Sequence, residues 1–600
     1  MDVGFSIIEL GLMILLFIIA KVSVKRASNK WRLLYASPTF VAIAMAVFGG
    51  FDVNHIGIYL AAALQLTALF FTFGQVEKKQ CIAVVSAVMI IANLVFISVS
   101  SGYHRSAFYA DFIKAYDTMK AHYVLTEEKG IDWDELYRKY EPVFKEVDKN
   151  QSYEENYKAW ARFTGEFYDG HVSYVGKSEG LMIDAFCKAY GNDYGLSMAK
   201  ITSGEIVAIN VEGYDNSYTI NSEEHDDLGL YSIKENFRPE TAEADRLTLK
   251  NAGIKNGTVI TKWNGKPVEE CLEKVNYYMT QYPVRENEEF YIPIYAAGIG
   301  RNINYGDTYV PGEEMEDNEG RNISDNPSVD ITFLDNNGNE KTVTAPNLGT
   351  YAPRLYDTMQ KIDRGVNITN LQWQEVNEDT YMLRIRAMAY DQESYNGSDF
   401  TFVSDEVREK VKALKEAGVK NIIFDLRSNG GGNPYFVEAV AQIFAPKGEH
   451  ITYYNAVINE KTATYERNAD GKYEMGVPSS FEGEDLWHDG KIILLLNAMC
   501  VSAGDDMTYI MGAFPNVKVM GFTSSNSSCQ AVTGLNLKEG QITFSAVPNL
   551  YPDGEIAVDT YTDHVGRTPF DEKIPFDQEA ITGIFDKGED YLLEYVANSF

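Results

Sequence analysis

The sequence predicts an α/β core around a mostly parallel sheet, with a helical prelude, an inserted β module and an N-terminal bundle of four transmembrane helices. Three observations carry this reading. Strand-like and helical patterns alternate from Asn370 to the C-terminus, as strands joined by crossover helices do. Short β-type runs bounded by turn residues fill positions 191–349. Four long apolar runs occupy the first hundred residues. A chain of 600 residues exceeds what one hydrophobic core organises. The expected boundaries are 1–101 for the membrane anchor, 102–185 for the prelude, 186–349 for the β module and 350–600 for the α/β core.

The apolar runs are Phe5–Val24, Leu34–Phe51, Ile56–Phe73 and Cys81–Ser100. Each holds about 18–20 residues, which crosses a ~30 Å hydrocarbon layer at ~1.5 Å per residue. A cleavable signal peptide fits poorly, because the start Met-Asp-Val-Gly has no positive segment and the charge follows the first run. Lys21, Lys25, Arg26, Lys30 and Arg32 lie between the first two runs, and Lys78 and Lys79 between the last two. The link from Phe51 to His55 has no basic residue. The positive-inside rule then puts the first and third links in the cytoplasm. The expectation is a multi-pass cell-membrane protein in contact with the lipid bilayer, with both termini and everything after about Ser101 outside. Glu9 falls in the first run, where a charge costs least near the outer interface.

Charge is segregated in the same way. Residues 1–100 carry seven basic and four acidic groups, a net of +3; the whole chain carries −33, so the remainder carries −36. A surface of that sign repels phosphate backbones and excludes nucleic acid as a partner. Five cysteines (Cys81, Cys187, Cys271, Cys500, Cys529) form no close pair and no metal-ligand spacing. Neither a disulfide framework nor a zinc site is expected, and no cofactor is required.

In the prelude, Ala107, Phe108, Phe112, Ala115, Tyr116 and Met119 recur at helical spacing. A second helix opens near Asp132-Trp133-Asp134, where an aspartate caps and complements the dipole. The β module reads as strands Glu205–Val211, Thr258–Trp263 and Ser328–Leu334, with turns at Asn264-Gly265 and Asn336-Asn337-Gly338. Acidic 213–245 and Gly/Asn/Glu-rich 284–327 read as surface excursions. Asp335 to Glu340 lacks the spacing of a calcium loop and reads as a hairpin turn. In the core, Tyr381–Ile385, Asn421–Leu426 and Lys491–Leu496 are strand-like, and Ser404–Ala417 and Ala503–Phe514 are helical.

Two strand-to-turn junctions carry the chemistry. Strand Asn421–Leu426 runs into Arg427-Ser-Asn-Gly-Gly-Gly432, where glycines let backbone N–H groups approach a substrate. A phosphate loop is excluded, since the Gly-Lys-Ser/Thr ending is missing. Strand Lys491–Leu496 runs through a short turn into Ser502-Ala503-Gly504-Asp505 at the mouth of a helix. A serine there is either an N-cap or a hydroxyl held beside an oxyanion-binding N–H.

Taken together, Asp-Leu-Arg-x-Asn-Gly-Gly-Gly and, about seventy residues on, strand–Ser-Ala-Gly-Asp resemble the C-terminal-processing (tail-specific) and tricorn-type serine peptidases. The likeness spans roughly 104–600 and includes Gly130-Ile-Asp-Trp-Asp-Glu-Leu-Tyr137, Asp169-Gly-His171, Pro552-Asp-Gly554 and Gly566-Arg567. It implies a crotonase/ClpP-like βαβ peptidase core with Ser502 as nucleophile and the backbone of Gly430, Gly431 and Ala503 as oxyanion donors. Asn251 to Val268 resembles the second half of a PDZ domain. Tyr194, Gly195, Leu196, Ser197 and Met198 resemble its carboxylate-binding loop and the start of its peptide-binding strand.

The family resemblance also exposes a departure. Tail-specific members place a lysine base about 25 residues after the nucleophile, and that place falls on Ser527; Lys518 comes too early and Lys538 too late. Tricorn-type members use a histidine, which matches His171, although Gly170 stands where they have serine and Ser173 is the substitute at hand. The orienting acid matches Asp563, with Asp559 second. The function implied is a membrane-anchored extracytoplasmic serine endopeptidase cleaving unfolded or C-terminally presented proteins through an acyl-enzyme on Ser502. The alternative is an inactive peptide-binding or sensing protein on the same scaffold.

Overall fold

The computed structural model describes residues 106–177, 191–211, 243–272, 285–298, 328–349, 351–363, 371–390, 397–459, 461, 464–526, 530–557 and 568–600. Phe108–Phe600 forms one compact unit.

The prelude is three helices: α1 (Phe108–His122), α2 (Trp133–Asn150) and α3 (Tyr153–Gly165). Asp132 caps α2 by accepting from the N–H groups of Asp134 and Glu135, as its position predicts. Phe112, from the predicted stripe of α1, stacks on Phe144 of α2 at 4.5 Å between ring centroids and meets Phe163 of α3 edge-on at 5.6 Å. Strand β1 (Ser173–Gly176) then leads to the module strands β2 (Ser197–Lys200), β3 (Ile206–Ile209), β4 (Ile260–Trp263) and β5 (Lys266–Pro267). Helix α4 (Arg285–Ala296), strands β6 (Ser328–Leu334) and β7 (Glu340–Pro346), and helix α5 (Ala352–Asp363) complete this part. The β4–β5 turn has Asn264 and Gly265 both at positive φ (47° and 80°), which is what an Asn-Gly hairpin turn requires.

The core follows as β8 (Leu371–Asn377), β9 (Thr380–Ile385), α6 (Thr401–Glu416), β10 (Asn421–Asp425) and α7 (Pro434–Phe444). After a ribbon of β11 (Gly448–Ala456) and β12 (Met475–Gly483) come β13 (Lys491–Leu496), α8 (Ala503–Gly512) and β14 (Val517–Gly521). Hairpin β15 (Ala531–Asn536) and β16 (Gly540–Val547) and strand β17 (Glu572–Lys573) end the strand series. The six-stranded sheet runs β17-β14-β13-β10-β9-β8, parallel throughout except for antiparallel β8 at the edge.

Side chains alternate along these strands, so one apolar run serves two cores. Ile422, Phe424, Ile492 and Leu494 point under α6, α7 and α8. Ile423, Ile493 and Leu495 point the other way, into a core shared with Trp263, Ile331 and Tyr291 of the module. Burial on both faces explains why Lys491–Leu496 is a continuous apolar run rather than an alternating one. A third core joins the prelude helices to Ile542 and Phe544 of β16, which pairs with β1 and β15.

One part of the predicted architecture is corrected. No helix among the described residues is long and apolar enough to cross a membrane. The longest described helix, α2, has 18 residues but carries a charged face that includes Asp134, Glu135 and Lys149. The four predicted spans lie outside the described residues. The structure thus contradicts the expected transmembrane bundle, bilayer contact and multi-pass localisation, and bears out the α/β core.

Phe112→Ala should cost about 3–5 kcal/mol by opening a cavity at the centre of the prelude. Chemical denaturation of the purified chain measures it; a loss under about 1 kcal/mol would mean that the aromatic cluster is not a packed core.

Candidate active site

The two predicted turns lie at the carboxyl ends of neighbouring parallel strands β10 and β13, the edge where open α/β sheets bind ligands. They are pinned to each other through Asn429, which is fully buried. Its carbonyl accepts the Val501 N–H at 2.9 Å, its Oδ1 accepts the Gly431 N–H at 2.9 Å, and its Nδ2 donates to the Ile385 carbonyl at 2.8 Å. Asn497 makes a second bracket: its Oδ1 accepts the Ser428 N–H at 2.8 Å and the Met499 N–H at 3.1 Å.

The contact leaves no room for side chains. A Cβ on Gly431 would stand 2.5 Å from Ser502 Cβ, and one on Gly504 would stand 2.8 Å from Asn429 Oδ1. Gly431 also has φ +85°, a conformation that a β-carbon disfavours. Helix α8 can start under the glycine turn only because Gly504 is there.

Ser502 is held at φ 57° and ψ −128°, in the sharp strand-to-helix conformation of a nucleophile elbow. For a residue with a β-carbon this strain is on the order of 1–3 kcal/mol. The side chain does not cap α8, so the capping explanation for this serine falls. Its half-buried hydroxyl has no hydrogen-bond partner among the described residues. The Ala503 N–H next to it donates to no described group, and neither does that of Gly432. The amides of Gly430 and Gly431, by contrast, are already engaged, with the Arg386 carbonyl at 3.3 Å and with Asn429.

Beneath the glycine turn sits a charged network that the sequence did not suggest. The Arg427 guanidinium, 1 % exposed, donates to Asp425 at 2.9 and 2.7 Å and to Asp590 at 2.7 and 2.8 Å. Arg384 Nε donates to Asp425 Oδ2 at 2.7 Å. Burial works against the charge on Asp425, but Arg427 and Arg384 outweigh it and hold the carboxyl at about 2. Asp590 is held below the usual carboxylate range against the same burial, by Arg427.

His171 follows the turn that Asp169 builds. Asp169 Oδ1 accepts the His171 N–H at 2.9 Å, while Oδ2 accepts from Tyr123 at 3.1 Å and Ser545 at 2.8 Å. Burial pushes the imidazole below its ordinary value of 6.5, opposed by the Asp169 charge and by the Gln530 backbone. Its Nδ1 is buried without a hydrogen-bond partner. On the serine side, Asn526 bridges Val501, with its N–H on the Cys500 carbonyl at 3.0 Å. No hydrogen bond joins Ser502 to His171 among the described residues. Ser173 instead bonds Thr543 at 2.7 Å. Asp563, Asp559 and Ser527 lie outside the described residues.

The side chains of Tyr194, Leu196, Ser197 and Met198 are buried in the module core. Ser197 Oγ is bonded to Thr358 at 2.8 Å and Tyr351 at 2.7 Å. The Gly195 N–H donates to Asp193 Oδ1 at 2.8 Å, and Arg354 holds that carboxylate at 2.7 Å. The chain's own carboxylate thus occupies this amide of the loop.

Residues 382–555 match the model of peptidase family S41, and residues 106–155 match the tricorn protease C1 domain. The chain is a serine-type peptidase. Its core resembles family S41 over those residues, and the resemblance to the C-terminal-processing peptidases is borne out. Among solved structures, the chain is similar to mature CPAF complexed with lactacystin, at 11% identity and TM-score 0.46 over 82% of this chain and 97% of that one. It is also similar to a putative peptidase from Parabacteroides merdae, at 13% identity and TM-score 0.38 over 82% and 96%. The photosystem II D1 C-terminal processing protease is similar at 13% identity and TM-score 0.30, over 81% and 98%. No curated protein matches the sequence.

With Asp425 at about 2 when folded and about 3.9 when unfolded, its pairing contributes stability above pH ~4 that is lost as pH falls towards ~2. The loss expected across that window is about 2–3 kcal/mol. Asp425→Asn should flatten the acid side of a stability-versus-pH curve measured by denaturant titration. An unchanged slope would show that the pair carries no such dependence.

Proposed function

We propose that this chain is a serine endopeptidase that cleaves unfolded or C-terminally presented proteins through an acyl-enzyme on Ser502. One observation carries it: a strained, uncapped serine with an open hydroxyl, flanked by an open amide and pressed against a glycine turn.

The chemistry is acyl transfer. Ser502 Oγ attacks the peptide carbonyl, and His171 takes the hydroxyl proton. The proton passes to the leaving amine as the C–N bond breaks. Water, deprotonated by the same imidazole, then cleaves the acyl ester and restores the serine. The N–H of Ala503 is the first oxyanion donor, and the open N–H of Gly432 replaces those of Gly430 and Gly431, which the fold has engaged. Removing one such donor from a hydrolase costs about 10²–10³ in turnover. The buried, unpartnered Nδ1 of His171 is the atom an orienting carboxylate would accept from; Asp563 is our candidate for it. His171 lacks a bond to Ser502 here, and catalytic hydrogen bonds of free enzymes often tighten only with substrate.

The module at 186–349 is PDZ-like in this reading, and 102–185 and 350–600 form the peptidase around it. Because Asp193 already occupies the Gly195 amide, the module is better suited to extended peptide than to a free C-terminal carboxylate.

Hydrolysis of unfolded casein by the purified chain tests the assignment. Ser502→Ala should abolish turnover, and His171→Ala should lower kcat at least about 10³-fold. Because burial lowers the His171 value, the acid limb of kcat/KM should lie below pH ~6.5. A His171→Ala enzyme at full rate would remove the histidine from the mechanism.

A further inference from the structure

The chain that leaves β14 is polar, and yet it is buried. Thr523, Ser524, Ser525 and Asn526 are each 4 % exposed or less. A stretch of this kind must find partners for the polar groups it takes out of water. On one side the partners are the serine turn and α8. Thr523 Oγ1 accepts the Ala498 N–H at 2.8 Å, and Asn526 Nδ2 donates to the Ala498 carbonyl at 2.6 Å. Ser525 Oγ donates to Asp505 Oδ1 of α8.

On the other side the partner is Asn287, in the first turn of α4 and 1 % exposed. Its Oδ1 accepts the Ser524 N–H at 3.0 Å, and its Nδ2 donates to the Ser524 carbonyl at 2.9 Å. No backbone group among the described residues pairs with either of these Ser524 groups. Asn287 Nδ2 also donates to Asn526 Oδ1 at 2.8 Å. Donors and acceptors agree along the whole path. The Ala498 carbonyl only accepts, so Asn526 turns its Nδ2 there and its Oδ1 to Asn287. The Ser524 N–H only donates, so Asn287 turns its Oδ1 there and its Nδ2 to Asn526. Phe290 of the same helix stacks on Phe522 at 6.1 Å between ring centroids and meets Phe576 edge-on at 5.3 Å, which sets α4 against this chain.

We propose that Asn287 is a positioning residue: it holds Ser524 and Asn526, and through them the turn that presents Ser502 to the glycine turn. From the glycine side, Asn429 holds the Val501 N–H. The carbonyls of Ala498 and Cys500 are held from the opposite side, by the Nδ2 and the N–H of Asn526. Without Asn287, Asn526 keeps its bonds to the turn but loses the anchor behind it. Asn287 makes no hydrogen bond to Ser502 among the described residues, so its effect is on placement and not on the chemical step. Placement matters because a nucleophile displaced by even ~1 Å can lose about 10² in rate. This inference rests on the reading of Ser502 as nucleophile for its kinetic consequence, but not for its structural one.

The test compares the intact wild-type chain with Asn287→Ala, Asn526→Ala and the double variant, by hydrogen exchange and casein hydrolysis. In Asn287→Ala, exchange in segment 498–502 should quicken about fivefold or more, with that of hairpin β6–β7 unchanged. Its kcat should fall about tenfold and its KM stay within about twofold. Asn526→Ala cuts the same path nearer the serine and should act in the same way. The double variant should lose no more than about what the worse single one loses, because both changes break one path. Asn287→Asp keeps the side chain's size and its acceptor for Ser524, and it replaces Asn287→Ala in every comparison if the alanine variant does not fold. Unchanged exchange in 498–502, a raised KM with kcat intact, or single losses that multiply in the double variant would each overturn the proposal. So would a quickening that extends equally to β6 and β7. If the wild type proved inactive while Asn287→Ala still loosened 498–502 alone, the positioning role would stand and the peptidase reading of Ser502 would fail.

Discussion

The close approach of a glycine turn to a serine turn is the constraint on which the rest of this structure depends. Asn429, itself fully buried, enforces it with three hydrogen bonds, one within its own turn and one each to the stretches at Ile385 and Val501. A buried amide with all its groups satisfied stabilises modestly, but one left unpaired costs heavily, so the network favours a single geometry. Gly431 and Gly504 are the steric complement, since a β-carbon at either would push the turns apart. The strained backbone of Ser502 is affordable because both sides of it are fixed in this way.

Electrostatics supports the same place from below. Arg427 is buried between two carboxylates, and one of them, Asp590, arrives from near the C-terminus. Such a cluster gives little net stability over apolar packing, yet removing one partner strands the others in a medium that cannot solvate them. Its value is therefore in geometry: it ties Asp590, near the C-terminus, to strand β10 and the start of the glycine turn. The module contributes through the opposite face of the sheet, sharing a core with Ile423, Ile493 and Leu495.

Local and periodic signals were legible in the sequence. Strands Ser328–Leu334 and Lys491–Leu496 fall on their expected residues, Asp132 caps as expected, and helix Thr401–Glu416 lies within three residues of its expected bounds. The ribbon of β11 and β12 was not legible, because it has no continuous buried face: Val477 within it is 80% exposed. Of the site, the serine and the glycine turn could be read from their strand-to-turn junctions. Asn429, Asn497 and Asp590 could not, since an asparagine in a turn looks like any turn residue until its distant partner is in place. The membrane reading came from apolar runs whose residues lie outside the described structure, and nothing described supports it.

What all of this implies is a hydroxyl made more reactive than an ordinary serine. The most direct measurement is covalent labelling of the intact chain by a serine-reactive phosphonate, with the modified residue located by peptide mass spectrometry. The account predicts one label per chain, on Ser502, and a sharp fall in labelling when His171 is replaced by alanine. An unlabelled Ser502 in the folded wild-type chain would contradict it.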